Sequence, residues 1–230
     1  MSTMVDWLHV WIRPAQVIRY YLNHTNPTRN MHIISIIGGI IAVLGEASAR
    51  SLGEDYPLLW IFLAAIPLGI ATGLLMLYGL GYLLTISGKM FGGVGSRNDM
   101  LVVMTRAFHV PIIVIGLLWI PQLLLFGQEM FTDETPRIDA SPVLTAIYYA
   151  IGTLELILNV WAIWVFIVAY AEAHRLRVLK AFISAAIPFA ILSIALIGIH
   201  FVANIIHLEW LIRSGPLTPD EIMLEEMKAE

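Results

Sequence analysis

The side chains of this sequence best suited to chemistry are polar residues inside long apolar segments. Asn159 follows Glu155 by four residues and Asn204 follows His200 by four, so each pair lies on one side of a helix, one turn apart. Polar and ionisable groups inside a membrane are costly and are candidates for function. These four residues predict an intramembrane polar cluster that binds a divalent metal, relays protons or gates a polar pathway. The simpler alternative is a hydrogen-bonded network that fixes the register of the helices.

A glycine-rich loop between two apolar segments is the second candidate. Its glycines allow the backbone to approach a neighbour or a ligand closely, and Ser96 or Asn98 can cap the helix that follows. Basic residues flank the loop, which predicts contact with a lipid phosphate or an acidic partner; the alternative is a tight structural turn. No GxxxxGK[ST] pattern is present, so the loop is not a nucleotide-binding loop. The residues of this candidate contact site are Lys89, Gly92, Gly93, Gly95, Ser96, Arg97 and Arg106.

Small residues form the third feature, because Ala65, Gly69 and Gly73 repeat every four residues. This spacing lets two membrane helices approach closely. We expect a helix-packing seam, either inside the monomer or between subunits.

The composition indicates the kind of protein that positions these residues. Hydrophobic residues make up 59% of the 230 residues and charged residues only 13%, whereas soluble domains carry about 25% charged residues. Apolar segments of this length predict membrane-spanning helices. The expected fold is an all-α polytopic membrane protein, a bundle of five transmembrane helices with amphipathic N- and C-terminal helices. The five segments are 31–47, 57–86, 101–126, 141–173 and 178–207.

The two ends of the chain are amphipathic. Residues 1–30 predict an interfacial helix that is broken or bent at Pro14. The transmembrane domain then occupies residues 31–207, and residues 208–230 form an acidic amphipathic tail with a helix starting near Thr218.

The distribution of Lys and Arg predicts the orientation. Of the 13 basic residues, nine lie before the first segment, around the second loop or between the last two segments, and only Arg50, Arg137, Arg213 and Lys228 lie on the other side. Cytoplasmic loops retain basic residues. We therefore expect a cytoplasmic N-terminus and, with five spans, an external C-terminus.

Several functional classes lack support in the sequence. There are no cysteines, which excludes disulfides, thiolate metal sites and a cysteine nucleophile. No HExxH pattern or serine, histidine and acid arrangement is present. We expect no enzyme activity, no catalytic residues, no cofactor or resident metal, and no nucleic-acid partner.

Several motifs together resemble the Yip family, the Ypt/Rab-interacting five-span membrane proteins. The turn from Gly92 to Ser96, followed by Arg106-Ala107 and Pro111, is similar to the family's cytoplasmic loop. The segments Trp11-Ile12-Arg13-Pro14, Asn159-Val160-Trp161 and Ala173-His174-Arg175-Leu176 are similar to its start, its fourth span and the loop after that span.

The resemblance covers most of residues 10–200. It implies a five-span fold, and in eukaryotes it implies endoplasmic reticulum or Golgi membranes and Rab-linked vesicle traffic. Only about 30 residues precede the first span here, in place of a long polar region. We therefore expect a prokaryotic plasma membrane and no Rab binding.

Three hypotheses for function follow. The first is a non-catalytic membrane organising or adaptor protein of the Yip type, acting through helix packing and cytoplasmic-loop contacts. The second is an accessory subunit of a larger membrane complex. The third is a small-solute or ion transporter that uses Glu155 and a stripe of polar residues on the fifth span, His200, Asn204 and His207. The expected partners are membrane lipids and other membrane proteins, in a homo- or hetero-oligomer.

Overall fold

Helices make up all regular structure in the part of the chain that the computed structural model describes, which is residues 3–23, 28 and 30–214. Five of these helices are long and apolar enough to cross a membrane. This finding confirms the predicted five-span, all-α membrane fold. The spans are Met31–Ala49, Leu58–Met90, Arg97–Phe131, Pro142–His174 and Val178–Ala195.

Two short helices, α1 (Thr3–Ile12) and α2 (Pro14–Leu22), precede the spans. The first span is α3 (Met31–Ala49). The second span contains α4 (Leu58–Leu75), a π-helical turn (Met76–Leu80) and α5 (Gly81–Met90). The third contains α6 (Arg97–Val103), a π-helical turn (Met104–His109), α7 (Val110–Gly116), α8 (Trp119–Phe126) and a 3₁₀ turn (Gly127–Phe131). A short helix, α9 (Pro136–Asp139), leads to the fourth span, α10 (Pro142–His174), and the last helix is α11 (Val178–Ser214).

The third span is interrupted where proline removes a backbone donor. Pro121 has no N–H to offer the carbonyl of Leu117, four residues earlier. The chain tightens there into bonds between residues three apart: Leu118 N–H donates to the Ile115 carbonyl and Ile120 N–H to the Leu117 carbonyl. The span is therefore built from separate helical pieces.

The small-residue seam lies against the first span. Ala65, Gly69 and Gly73 are buried on the second span. A Cβ added to Gly39 would lie 2.5 Å from the Gly73 nitrogen, and one added to Gly73 would lie closer than 3.0 Å to the Ser35 carbonyl oxygen. The backbones of α3 and α4 are therefore in direct contact, and the seam packs inside the monomer.

At one end of the bundle, which we call the acidic end, the loops after the first and third spans bind each other. Gly53 N–H donates to the Phe131 carbonyl at 2.6 Å, Ser51 donates to Asp133, and Asp133 N–H donates to Glu54. An apolar cluster lies beneath these loops. Its buried members are Leu44, Ala47, Ile61, Ala65, Phe126, Met130, Phe131 and Ile138.

The opposite end, which we call the basic end, holds the glycine-rich loop, the loop after the fourth span and α2. The chain divides into two compact units, residues 1–188 and 189–230. Both ends of the bundle described above belong to the first unit. In the second unit, the described residues continue α11 as far as Ser214.

The N-terminal helices α1 and α2 pack along the spans. Trp161 donates its indole N–H to the Trp11 carbonyl at 2.9 Å. Trp161 is 13 residues from the end of α10 at His174, which is about 20 Å along the helix. Val10, Val17 and Ile18 are buried against the bundle. Apolar side chains of α1 and α2 therefore pack against the surface of the helix bundle.

Candidate functional site

The glycine-rich loop is built around the ring of His174, the last residue of α10. This side chain is fully buried, and its Nδ1 accepts a hydrogen bond from Gly95 N–H at 3.2 Å. Its carbonyl accepts a bond from Val94 N–H at 3.1 Å. The loop is therefore bound to the fourth span through both the backbone and the side chain of one residue.

On three sides of this ring there is room for glycine but not for a residue with a Cβ atom. A Cβ at Gly93 would lie 2.6 Å from His174 Nδ1, and one at Gly95 would lie 2.8 Å from it. A Cβ at Gly88 would meet three atoms of the ring closer than 3.0 Å. Gly92 differs, because its Cβ would be in open space but its φ is +86°. Gly92 therefore serves the turn, and the other three form a cradle for His174.

Ser96 begins the third span. Its side chain accepts from Asp99 N–H at 3.2 Å, and the Asp99 carboxylate accepts from Ser96 N–H at 2.7 Å. This reciprocal capping box holds the end of the loop where the helix starts. Asn98, the other residue considered for this cap, lies inside the first turn of the helix.

A buried hydrogen-bond network lies next to the cradle. The Tyr170 ring contacts His174 edge-on, with centroids 4.8 Å apart. Its hydroxyl donates to the Leu84 carbonyl at 3.0 Å and lies 2.7 Å from the Ser184 hydroxyl. Ser87 donates to the Ser184 carbonyl. Spans two, four and five are therefore joined just below the loop.

In the sequence His174 was noted only as part of the motif 173–176 that resembles the family, and it was not predicted as a site residue. The available signal was the spacing of Gly88, Gly93 and Gly95 combined with a histidine at the end of an apolar span. A glycine that is required by a close contact does not reveal in the sequence which side chain it contacts. Only the folded chain brings a residue 79 positions away from Gly95 into the loop.

The basic residues near the loop fall into two groups. Those with exposed side chains are Lys89, Arg97, Arg175, Arg177 and Lys180. Arg106 is 5% exposed and lies under the Tyr21 ring, with the guanidinium carbon 4.1 Å from the ring centroid. This cation–π contact places Arg106 beneath α2 and away from the surface on which Lys89 and Arg97 lie.

An ion pair fixes α2 at the basic end. Arg19 donates to both Glu172 oxygens, at 2.8 and 3.1 Å. The hydrogen bond to Glu172 and its negative charge raise the pKa of the Arg19 guanidinium above its ordinary value. Because Arg19 is exposed, we assign the pair a positional role.

Of the predicted polar cluster, the structure describes Glu155 and Asn159; the side chains of His200 and Asn204 lie outside the described residues. Gln122 Nε2 donates to Glu155 Oε1 at 2.6 Å. Asn159 donates to the Glu155 backbone carbonyl at 2.8 Å, not to its carboxylate. Gln122 was not predicted. Among the described side chains, no three of His, Asp or Glu are grouped so as to hold a metal.

The family model described as the Yip1 domain matches residues 8–199, which is most of the chain. The matched region includes α2, the glycine-rich loop and the residues of the His174 cradle. No curated protein and no solved structure matches.

Proposed function

The chain belongs to the Yip1 family of membrane proteins, and on this premise we propose that it is a non-catalytic membrane adaptor whose basic end contacts lipid or protein. The observation that carries this proposal is the attachment of the glycine-rich loop to His174. A loop held at both ends presents its side chains in one arrangement, so a partner does not have to order it on binding.

The loop surface has the composition of a membrane or protein contact. Lys89 and Arg97 are exposed beside Met90 and Val94, which are 73% and 63% exposed. Basic side chains attract anionic headgroups or acidic partners, and adjacent apolar side chains add buried area. The nearby Asp99 is occupied by the capping box. This surface therefore supports contact with a negatively charged partner.

We expect the double substitution K89Q/R97Q to reduce the amount of bound anionic lipid or partner protein. Two basic residues contribute about 2 kcal/mol to such contacts, which corresponds to roughly a 30-fold loss of affinity. The measurement is purification in mild detergent followed by mass spectrometry of the retained lipids and proteins.

The control for this experiment is Arg50→Gln, which removes a charge from the acidic end, where Arg50 pairs with Glu46. This variant should retain the same species as the unmodified protein. Equal retention in K89Q/R97Q would refute the proposed contact surface. A protein partner retained at a fixed stoichiometry would favour an accessory subunit of a larger complex.

We propose further that the basic end faces the cytoplasm, in a prokaryotic plasma membrane. Because the sequence contains no cysteine, single-cysteine variants can be labelled without background. Lys89→Cys should react with a membrane-impermeant maleimide only in inverted vesicles. Asp133→Cys, at the acidic end, should react only from the outside of intact cells. Labelling of both positions from one side would reject this orientation.

A further inference from the structure

A cavity of about 320 Å³ lies between the third and fourth spans, near the acidic end. Its lining combines one acid, one amide and three aromatic side chains: Glu155, Gln122, Trp119, Tyr148 and Tyr149. This volume is at the lower end of the range for small-molecule sites. Neither the family match nor the proposed contact surface at the basic end gives this cavity a role.

Glu155 places a half-buried carboxylate within the fourth span. It is 13 residues from the start of α10 at Pro142, about 20 Å along the helix. Its Oε1 accepts from Gln122, whose Nε2 also donates to the Leu118 carbonyl at 3.3 Å. No Lys or Arg in the described part of the chain forms an ion pair with it. Among the described residues, the hydrogen bond to this carboxylate goes to Oε1, and Oε2 accepts none.

The aromatic rings indicate the kind of ligand. Tyr148 and Tyr149 pack edge to face with centroids 5.7 Å apart, and Trp119 lines the same cavity. Aromatic faces attract organic cations, especially substituted ammonium groups. A divalent metal would require several oxygen ligands, and Glu155 has no second acid beside it among the described residues.

We propose that this cavity binds a small organic ammonium cation. The carboxylate of Glu155 neutralises the positive charge, Gln122 holds the carboxylate in place, and the aromatic side chains contact the alkyl groups. This binding site is independent of the adaptor role, because the cavity lies near the acidic end and needs no partner at the basic end.

The test is a titration of the full-length protein in a maltoside detergent, which carries no ammonium group. The probes are choline, tetraethylammonium and 3,3-dimethylbutan-1-ol, which has the shape of choline without its charge. We expect saturable binding of at least one cation by calorimetry and none of the alcohol. Glu155→Gln should weaken binding at least tenfold, because it removes one partner of a half-buried charge pair.

The tyrosine variants separate ring contact from hydrogen bonding. Tyr149→Phe keeps the ring and should bind like the unmodified protein, whereas Tyr149→Leu should bind about threefold more weakly or worse. Size-exclusion chromatography establishes that each variant is folded. Equal binding of the neutral alcohol, unchanged binding in Glu155→Gln, or no binding of either cation by the folded protein would each overturn the proposal.

Discussion

Substituting alanine for Gly73 should lower the free energy of unfolding by about 3 kcal/mol, the upper part of the range for an overpacked interior. The new methyl group would lie closer than 3.0 Å to the backbone carbonyl of Ser35. A side chain could rotate away from such a contact, but a carbonyl in α3 moves only if the helix moves. The first two spans would separate along the whole seam.

Thermal unfolding in detergent measures this effect, and a loss of 3 kcal/mol corresponds to a decrease of roughly 6–12 °C in the midpoint for a chain of this size. Gly152→Ala is the matched control, because Gly152 is also on a membrane span but its added Cβ meets nothing within 4 Å. Alanine favours helix over glycine by about 1 kcal/mol, so the control should be neutral or stabilised. If Gly73→Ala behaved like this control, the close packing of α3 and α4 would be wrong.

The sequence predicted the features that depend on local pattern. The five spans were predicted because each is an apolar segment that is recognisable from its own residues. Ser96 was predicted as a possible N-cap because capping depends on residues next to each other in the sequence. The spacing of Ala65, Gly69 and Gly73 predicted a packing seam. The residue opposite them, Gly39, was not identified, because spacing along one helix does not specify its partner helix.

Contacts between residues that are far apart in the sequence could not be predicted from local sequence patterns. Arg106 was grouped with Lys89 and Arg97 because all three lie close together in the sequence. In the structure Arg106 is on the bundle side of α2, covered by Tyr21, because the third span carries it below the loop. The polar partner of Glu155 was missed for a similar reason: Gln122 is on another span, 33 residues away.

The cradle and the seam both depend on glycine for close packing. In both, glycine removes a side chain so that another group can approach the backbone. In the seam that group is a second helix, whose position sets the packing of the bundle. In the cradle it is a single imidazole, whose position sets the conformation of an exposed loop. After Gly73, we expect the largest loss of stability from a substitution at Gly88.

Gly88→Ala should destabilise the protein by about 2 kcal/mol, because the added methyl group overlaps the His174 ring. Gly88 lies within α5 and has no positive φ, so backbone strain does not contribute. His174→Ala alone should also destabilise, through the cavity it leaves and the lost bond to Gly95 N–H. The midpoints of thermal unfolding of both variants measure these effects.

The double variant G88A/H174A makes this prediction specific to the cradle. With the ring removed, the methyl group at residue 88 has space, so the cost of Gly88→Ala should disappear in the His174→Ala background. The expected coupling is at least about 1 kcal/mol, within the range for residues in contact. If the effects of the two substitutions on the free energy of unfolding were strictly additive, something other than His174 would constrain Gly88. The contact with His174 would then not explain the rigidity of the loop.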